Sequence, residues 1–346
     1  MDLSGQGSRC LTSYSFTPTC TSYTKLVGSQ IGFYCSGNAY FNIYYVPNCD
    51  PNVWGACSVT CGGGTQVNQC GTPRSCNTQA CTAPAWWQVK DGDISANGDL
   101  VSKVPGGNYF GLTGGGGYPG VPAYSGSTNL TGANVSQVGW LAQSSNPNAR
   151  IFDYKYFANQ IPKDTVIDNL SLNTLDQTAI NANTTPSYGY YWYRFDGRVS
   201  NLDLNLNSNL NIGAKKVILL INSADFNIKG NINLTKGSGF FMVITGKDAN
   251  GGKGNIAVDP GVGGGAGPNL EGIYEADGQF KTGVSALELK VRGSVAAYGG
   301  AILKRDLGDA ANAATPSEQF EFAPDQIMLF PTKLGYRKMN WKEVAP

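Results

Sequence analysis

Histidine is absent from all 346 positions, which removes imidazole general bases, Ser-His-Asp arrangements and mixed Cys/His zinc sites. Charge is scarce at 14% Asp, Glu, Lys and Arg, and a net charge of +1 gives no broad attraction to nucleic acid or to an anionic membrane. No apolar run reaches the length of a membrane span; the longest, around Val217 to Ile221 and Phe240 to Ile244, are strand-sized. Cysteine is missing from everything after Cys81, and the opening Met1-Asp-Leu-Ser-Gly-Gln lacks the basic and apolar regions of a secretion signal.

What is present is a concentration of nine cysteines between Cys10 and Cys81. Such confinement marks a separate disulfide-stapled region and requires an oxidising compartment. The expectation is therefore an extracellular or cell-envelope protein whose Met1 lies inside a longer precursor or was added, with the signal or anchor upstream. Three regions follow from composition: a small Cys-rich segment over 1–50, a second cysteine module over 51–84, and a large cysteine-free domain over 85–346. In the first, Cys10, Cys20, Cys35 and Cys49 allow three pairings that spacing does not distinguish.

The large domain reads as strand after strand. From Val199 to Ile212, Leu and Ile alternate with Asn and Asp at a period of two, the signature of half-buried strand. Short apolar runs follow at Val217 to Ile221, Phe226 to Leu234, Phe240 to Ile244, Asn255 to Val258, Leu287 to Val291 and Val295 to Tyr298. The breaks between them are irregular, and the hairpin dipeptide Asn-Gly occurs only at Asn97-Gly98 and Asn250-Gly251. This favours short strands stacked coil upon coil, a right-handed parallel β-helix, over the alternative of a β-sandwich or jelly roll. Asn201, Asn205, Asn207, Asn209, Asn211, Asn227, Asn231 and Asn233 suit side-chain ladders between coils, and equally a solvated strand face. The stretch from Gly106 to Gly126 reads as a surface loop, residues 146 to 159 as a helix, Thr315-Pro-Ser-Glu318 as a capping box opening a short helical turn, and Pro324 to Phe330 as a second short helix or edge strand.

From Trp54 the motif Trp-Gly-Ala-Cys57-Ser-Val-Thr60-Cys61-Gly-Gly-Gly64, followed by Cys70 and Cys76-Asn-Thr-Gln-Ala-Cys81, resembles the thrombospondin type 1 repeat. The resemblance covers about 30 residues. It implies bridges from Cys57 to Cys76 and from Cys61 to Cys81, and leaves Cys70 over, since this copy lacks the family's sixth cysteine: unpaired, intermolecular, or paired into the N-terminal segment. It also implies O-fucosylation at Thr60 and C-mannosylation at Trp54 in a host with those enzymes. The family is held by stacked Trp and Arg layers, of which this copy retains Trp54 and Arg74 only. Over residues 86–346, Trp87-Gln-Val with Gly92-Asp-Ile, Leu270-Glu-Gly-Ile-Tyr274, Phe320-Glu-Phe-Ala-Pro-Asp325 and Trp341-Lys-Glu-Val-Ala-Pro346 resemble uncharacterised bacterial envelope proteins, some loosely linked to pilus assembly.

Chemistry is thinly represented. Enzymatic β-helices need paired carboxylates, or Asp-bound calcium with a basic partner. The candidates are Glu271, Glu275 and Asp277; Lys304, Arg305 and Asp306; and Asp196 with Arg198, each as easily a solvated turn charge. Asp248-Ala-Asn250-Gly-Gly resembles the start of a calcium loop without the downstream Glu, so calcium is the one cofactor left open. Trp86 and Trp87 suit a plug for the open end of a solenoid or, alternatively, a sugar platform, and Tyr188, Tyr190, Tyr191, Trp192 and Tyr193 form an aromatic loop with some rings directed outward. The expected function is non-enzymatic: adhesion or assembly through a surface glycan, a protein ligand or further copies of the chain. A polysaccharide lyase or hydrolase and a glycan-binding module are the competing readings.

Overall fold

The computed structural model describes residues 30–35, 39–44, 52–56, 63–68, 71–77, 83–131, 134–143, 152–200 and 202–335. The chain divides into two units, Met1–Cys81 and Thr82–Pro346.

In the first unit, β1 (Gln30–Cys35) and β2 (Ala39–Tyr44) form an antiparallel pair, as do β3 (Gly63–Val67) and β4 (Pro73–Asn77). The Arg74 guanidinium lies 3.8 Å from the centroid of the Trp54 ring, one cation–π layer. Trp54 also bridges Asn68 in antiparallel register. Cys76 is buried and disulfide-bonded. Cys57, Cys61, Cys70 and Cys81, together with Cys10, Cys20, Cys49 and Thr60, lie outside the described residues.

The second unit is a parallel β-solenoid of about nine turns. Its main sheet contains, in chain order, β5 (Trp87–Lys90), β6 (Tyr109–Leu112), β7 (Asn134–Ser136), β8 (Ile167–Asn169), β9 (Tyr191–Asp196), β10 (Lys216–Asn222), β11 (Phe240–Gly246), β12 (Leu270–Ala276), β13 (Leu289–Ala297) and β14 (Glu318–Glu321). Every ladder between named strands of this unit is parallel, which rules out a sandwich of antiparallel hairpins. A second face stacks Leu204–Leu206, Phe226–Ile228, Ile256–Val258, Phe280–Thr282 and Ala301–Ile302.

The order of rungs along the axis differs from the order in the chain. Spatially the main sheet runs β7-β6-β5-β14-β13-β12-β11-β10-β9-β8. The unit therefore begins mid-stack, winds outward to β7, restarts at the far end with β8, and winds back until β14 closes against β5. Glu318, Gln319, Phe320 and Glu321 align with Trp87, Gln88, Val89 and Lys90 across that seam. Lys90 pairs with Glu321 at 3.1 Å, Gln319 donates its amide to Gln88, and the Trp86 indole donates to Asn312 O at 2.7 Å. Trp86 and Trp87 are accordingly interior to the stack and do not plug an open end.

The apolar runs are explained by burial on both sides of the main sheet. In β10, Val217, Leu219 and Ile221 face the lumen, whereas Ile218 and Leu220 join an outer cluster with Trp192, Phe240, Met242 and Ile244. That outer layer is covered by α1 (Tyr154–Gln160) and by the segment around α2 (Pro324–Met328). Asp153 starts α1 by accepting from Tyr156 N, and the part of the expected helix before residue 152 lies outside the described residues. The glycine-rich stretch from 106 to 126 contributes β6 and the strand Pro122–Tyr124 rather than a plain loop. Thr315-Pro-Ser-Glu318 opens no helix: Glu318 begins β14 and its carboxylate accepts from Thr282 Oγ1 and Arg305 N in the neighbouring rung. Pro324 to Phe330 does contain the expected short helix, α2.

Corners between faces are held by side chains that cap the next rung. Asp203 accepts from Asp225 N, Asp225 from Asn255 N, and Asn255 from Gln279 N, each at 2.9 Å. At another corner Asn209 accepts from Asn231 N, and Asn269 from Lys290 N. Asn227 donates its amide to Asn205, 22 residues earlier. Each such bond contributes about 0.5–1.5 kcal/mol, and the Asn/Asp alternation is thus partly structural.

Candidate functional site

The aromatic residues singled out from the sequence are mostly packing groups. Trp86, Trp192 and Tyr193 are buried, and their rings are unavailable to a ligand. Trp192 donates to Ser187 O, and Tyr193 to Ile180 O. Burial pushes the Tyr193 phenol up. Trp87 is half-buried edge-on to Phe110 and donates to Val101 O. Tyr190 donates to Leu329 O and so helps fasten the covering segment. Tyr191 is half-buried with Lys215 Nζ 4.7 Å from its ring centroid. Tyr188 alone among them is exposed, and its hydroxyl donates to Asp164.

The charged candidates scatter in the same way. Asp196 and Arg198 pair with each other at the surface, and that hydrogen bond holds the Asp196 carboxyl below its ordinary range. Arg305 is buried and donates to Asp259 O and Pro260 O, while Lys304 N donates to Thr282 and Asp306 accepts from Gly308 N and Asn312. Asp248 accepts from Asn250 N and Gly252 N of its own turn. Among the described residues no group of three or more His, Cys, Asp or Glu side chains is placed to hold a metal ion.

Glu271 and Glu275 both point to the outer face of β12, but to different environments. Glu271 accepts from Leu234 N and from Arg292, and Arg292 also bonds Asp325 of α2. This buried triad ties the covering segment to the sheet. Glu275, flanked by Ile244 and Ala296 in the adjoining strands, lines a cleft of about 340 Å³ between α1 and the segment after α2. Phe152 and Phe157 form one wall, Phe330 and Leu334 the opposite one, and Met242 and Ile273 the floor, with Tyr298 beside them. The volume lies at the low end of the range for small-molecule sites, and the lining is predominantly apolar.

Electrostatics make the cleft unusual. Glu275 is 5% exposed and its Oε1 has no hydrogen-bond partner. Burial, reinforced by Asp277 and Asp153, pushes its carboxyl up to about 8. Asp277 is also raised by burial, against the opposing effect of the bonds it accepts from Tyr154 N and Lys247 N. Burial raises the Tyr298 phenol, whose oxygen accepts from Phe152 N at 2.7 Å. The structure therefore places Glu275 in the cleft with Asp277 near enough to act on its charge, and leaves Glu271 elsewhere. Phe152, Tyr298 and Phe330 come from distant parts of the chain and carry no local sequence signal. The one hint is the uninterrupted apolar run of β11, which requires a cover on its outer side.

A pH dependence follows from Glu275. Its folded value is raised above the ordinary 4.5, so the folded state binds the extra proton in the interval up to about 8. The associated stability is present in full below the ordinary value and is lost as pH rises through the folded one. Relative to Glu275→Gln, which imitates the neutral acid, the native protein should lose up to about 1.4 kcal/mol per pH unit across that interval. Parallel denaturant curves for the two proteins from pH 5 to 9 check this, and curves that keep a constant separation would refute it.

No family model, curated protein or solved structure matches the chain.

Proposed function

We propose that the chain is an extracellular or cell-envelope surface protein that works by binding or assembly. The observation that carries this reading is the disposition of polar groups on the solenoid: corner carboxylates and amides are used between rungs, Glu271 and Asp325 are used by Arg292, and the cleft presents aromatic rings around a single carboxyl without a partner for one oxygen. A ligand can be held there, whereas among the described residues the two acids near Glu275 are both engaged by backbone N–H groups, Asp277 by Tyr154 and Lys247 and Asp153 by Tyr156, which disfavours a two-carboxylate reaction. The disulfide at Cys76 and the Arg74–Trp54 layer support an oxidising, thrombospondin-like setting for the first unit.

The enzyme reading retains one point in its favour, since a buried carboxyl raised to about 8 is a property of general acids. Incubating the whole chain with cell surfaces and with a panel of polysaccharides separates the two. Saturable binding without new reducing ends or unsaturated products is expected, and sustained turnover would overturn the binding reading.

A further inference from the structure

The lining of the cleft selects the chemistry of its occupant. Among the described residues no lysine or arginine lines it, so within that lining an anionic ligand would meet no countercharge. Four aromatic rings do, from Phe152, Phe157, Tyr298 and Phe330, and ring faces attract cations. Glu275 supplies a carboxyl whose Oε1 lacks a partner, and a buried oxygen left in that state is costly unless something bonds it. The groups facing it from the surrounding elements are Asp277 on its own strand's end, Asp153 at the start of α1, and Tyr298 beyond β13. Lys247 approaches through its backbone N–H to Asp277. The segment after α2 contributes Phe330, Leu334 and Gly335, none of them charged. The charge that the described residues place beside Glu275 is thus negative, and the walls they form are apolar.

We propose that this cleft is a binding site for a small organic ammonium ion with an apolar body, its ammonium donating to Glu275 Oε1 and its body lying between Phe152 and Phe330. A neutral ligand of the same shape would fill the walls and leave the cation-attracting end unused. The inference rests on the binding reading and narrows it to one ligand class. Glu275 must give up its proton when the cation arrives, so binding and deprotonation are linked.

The test is calorimetric titration of the full chain with phenethylammonium chloride and, separately, with 2-phenylethanol. Affinity for the ammonium should rise about tenfold between pH 6 and 7 and level off above 8, with release of about one proton near neutrality, seen as a dependence on buffer ionisation enthalpy. The alcohol should bind at least about tenfold more weakly at pH 8, without that pH dependence. Glu275→Gln should abolish the pH dependence, and Phe330→Ala should weaken both probes. N-acetyl-lysinamide stands for a lysine carried by a protein partner, and tighter binding of it than of phenethylammonium would overturn the small-molecule assignment. So would equal affinity for amine and alcohol, an unaltered Glu275→Gln, or no binding of either probe. Failure here is separable from failure of the surface role: cell-surface binding retained by Glu275→Gln alongside inert probes removes the ligand class only, whereas probe binding without any surface binding removes the adhesive role only.

Discussion

Replacing Gly293 by alanine is expected to cost about 4 kcal/mol or more of folding stability, among the largest effects available to a single methyl group in this chain. Gly293 in β13 has a φ of +147°, and it stands in register with Gly272 of β12, whose φ is +132°. A Cβ at Gly293 would lie inside the van der Waals envelope of Gly272 O, and one at Gly272 would sit 2.6 Å from Phe241 O in β11. Three successive rungs approach there backbone to backbone, and the carbonyls cannot retreat without breaking the ladder. The conformation is itself unfavourable to a side chain, so strain and clash add. Gly98→Ala is the control, since a Cβ there meets nothing within 4 Å; its change should stay within about 0.5 kcal/mol. Guanidinium unfolding of both variants measures the contrast, and similar midpoints would mean that the rungs can separate at β12 and β13 without loss.

The second large effect is expected at Arg292. Its guanidinium is 8% exposed and lies between Glu271 and Asp325, themselves 10% and 13% exposed. Burial opposes ionisation of Asp325, but the bonds from Gly237 N and Arg292 outweigh it and hold its carboxyl below the ordinary range. Removing the cation in Arg292→Met leaves two buried carboxylates facing each other, a change that costs about 3–5 kcal/mol at neutral pH. The loss should shrink toward acid pH, where Asp325, no longer held down by Arg292, takes up a proton. Combining Arg292→Met with Glu271→Gln and Asp325→Asn should recover most of it, and a triple variant no more stable than the single one would show that packing, not charge, is at stake. Because Asp325 lies in α2, the single variant should also loosen the wall formed by Phe330 and Leu334 and weaken any ligand in the cleft.

Both effects depend on contacts between rungs, and this is where a linear reading reaches its limit. The alternation of Leu and Asn around Leu204 to Ile212 was enough to identify strands with one lumen face, because side-chain direction repeats every second residue whatever the strand pairs with. The runs Val217 to Ile221 and Phe240 to Ile244 were legible as strands, but that both of their sides are buried, one on the lumen and one under a cover, came from the tertiary structure. Asn205 with Asn227 and Asn209 with Asn231 show that the spaced asparagines were a stacking signal as well as a polar face.

Rung order had no such local record. A parallel strand offers the same hydrogen-bonding edge to any parallel neighbour, so nothing in Trp87-Gln-Val-Lys90 announces that it will pair with Glu318–Glu321 rather than cap an end. Trp192 and Tyr193 belong to a stretch read as an aromatic loop with some rings directed outward, but with a lumen on one side and a cover on the other both of these rings are interior. Glu318 resembled a helix cap and became a strand residue because Thr282 and Arg305 offered its carboxylate partners from another rung. The amino-acid order was sufficient for the existence of stacked strands, the cysteine-bearing region and the want of imidazole chemistry, all of which are properties of neighbouring residues or of composition. The mid-stack start, the β14–β5 seam and the Glu275 cleft arose only when segments far apart in the chain came together, since each depends on long-range pairing that leaves no periodicity behind.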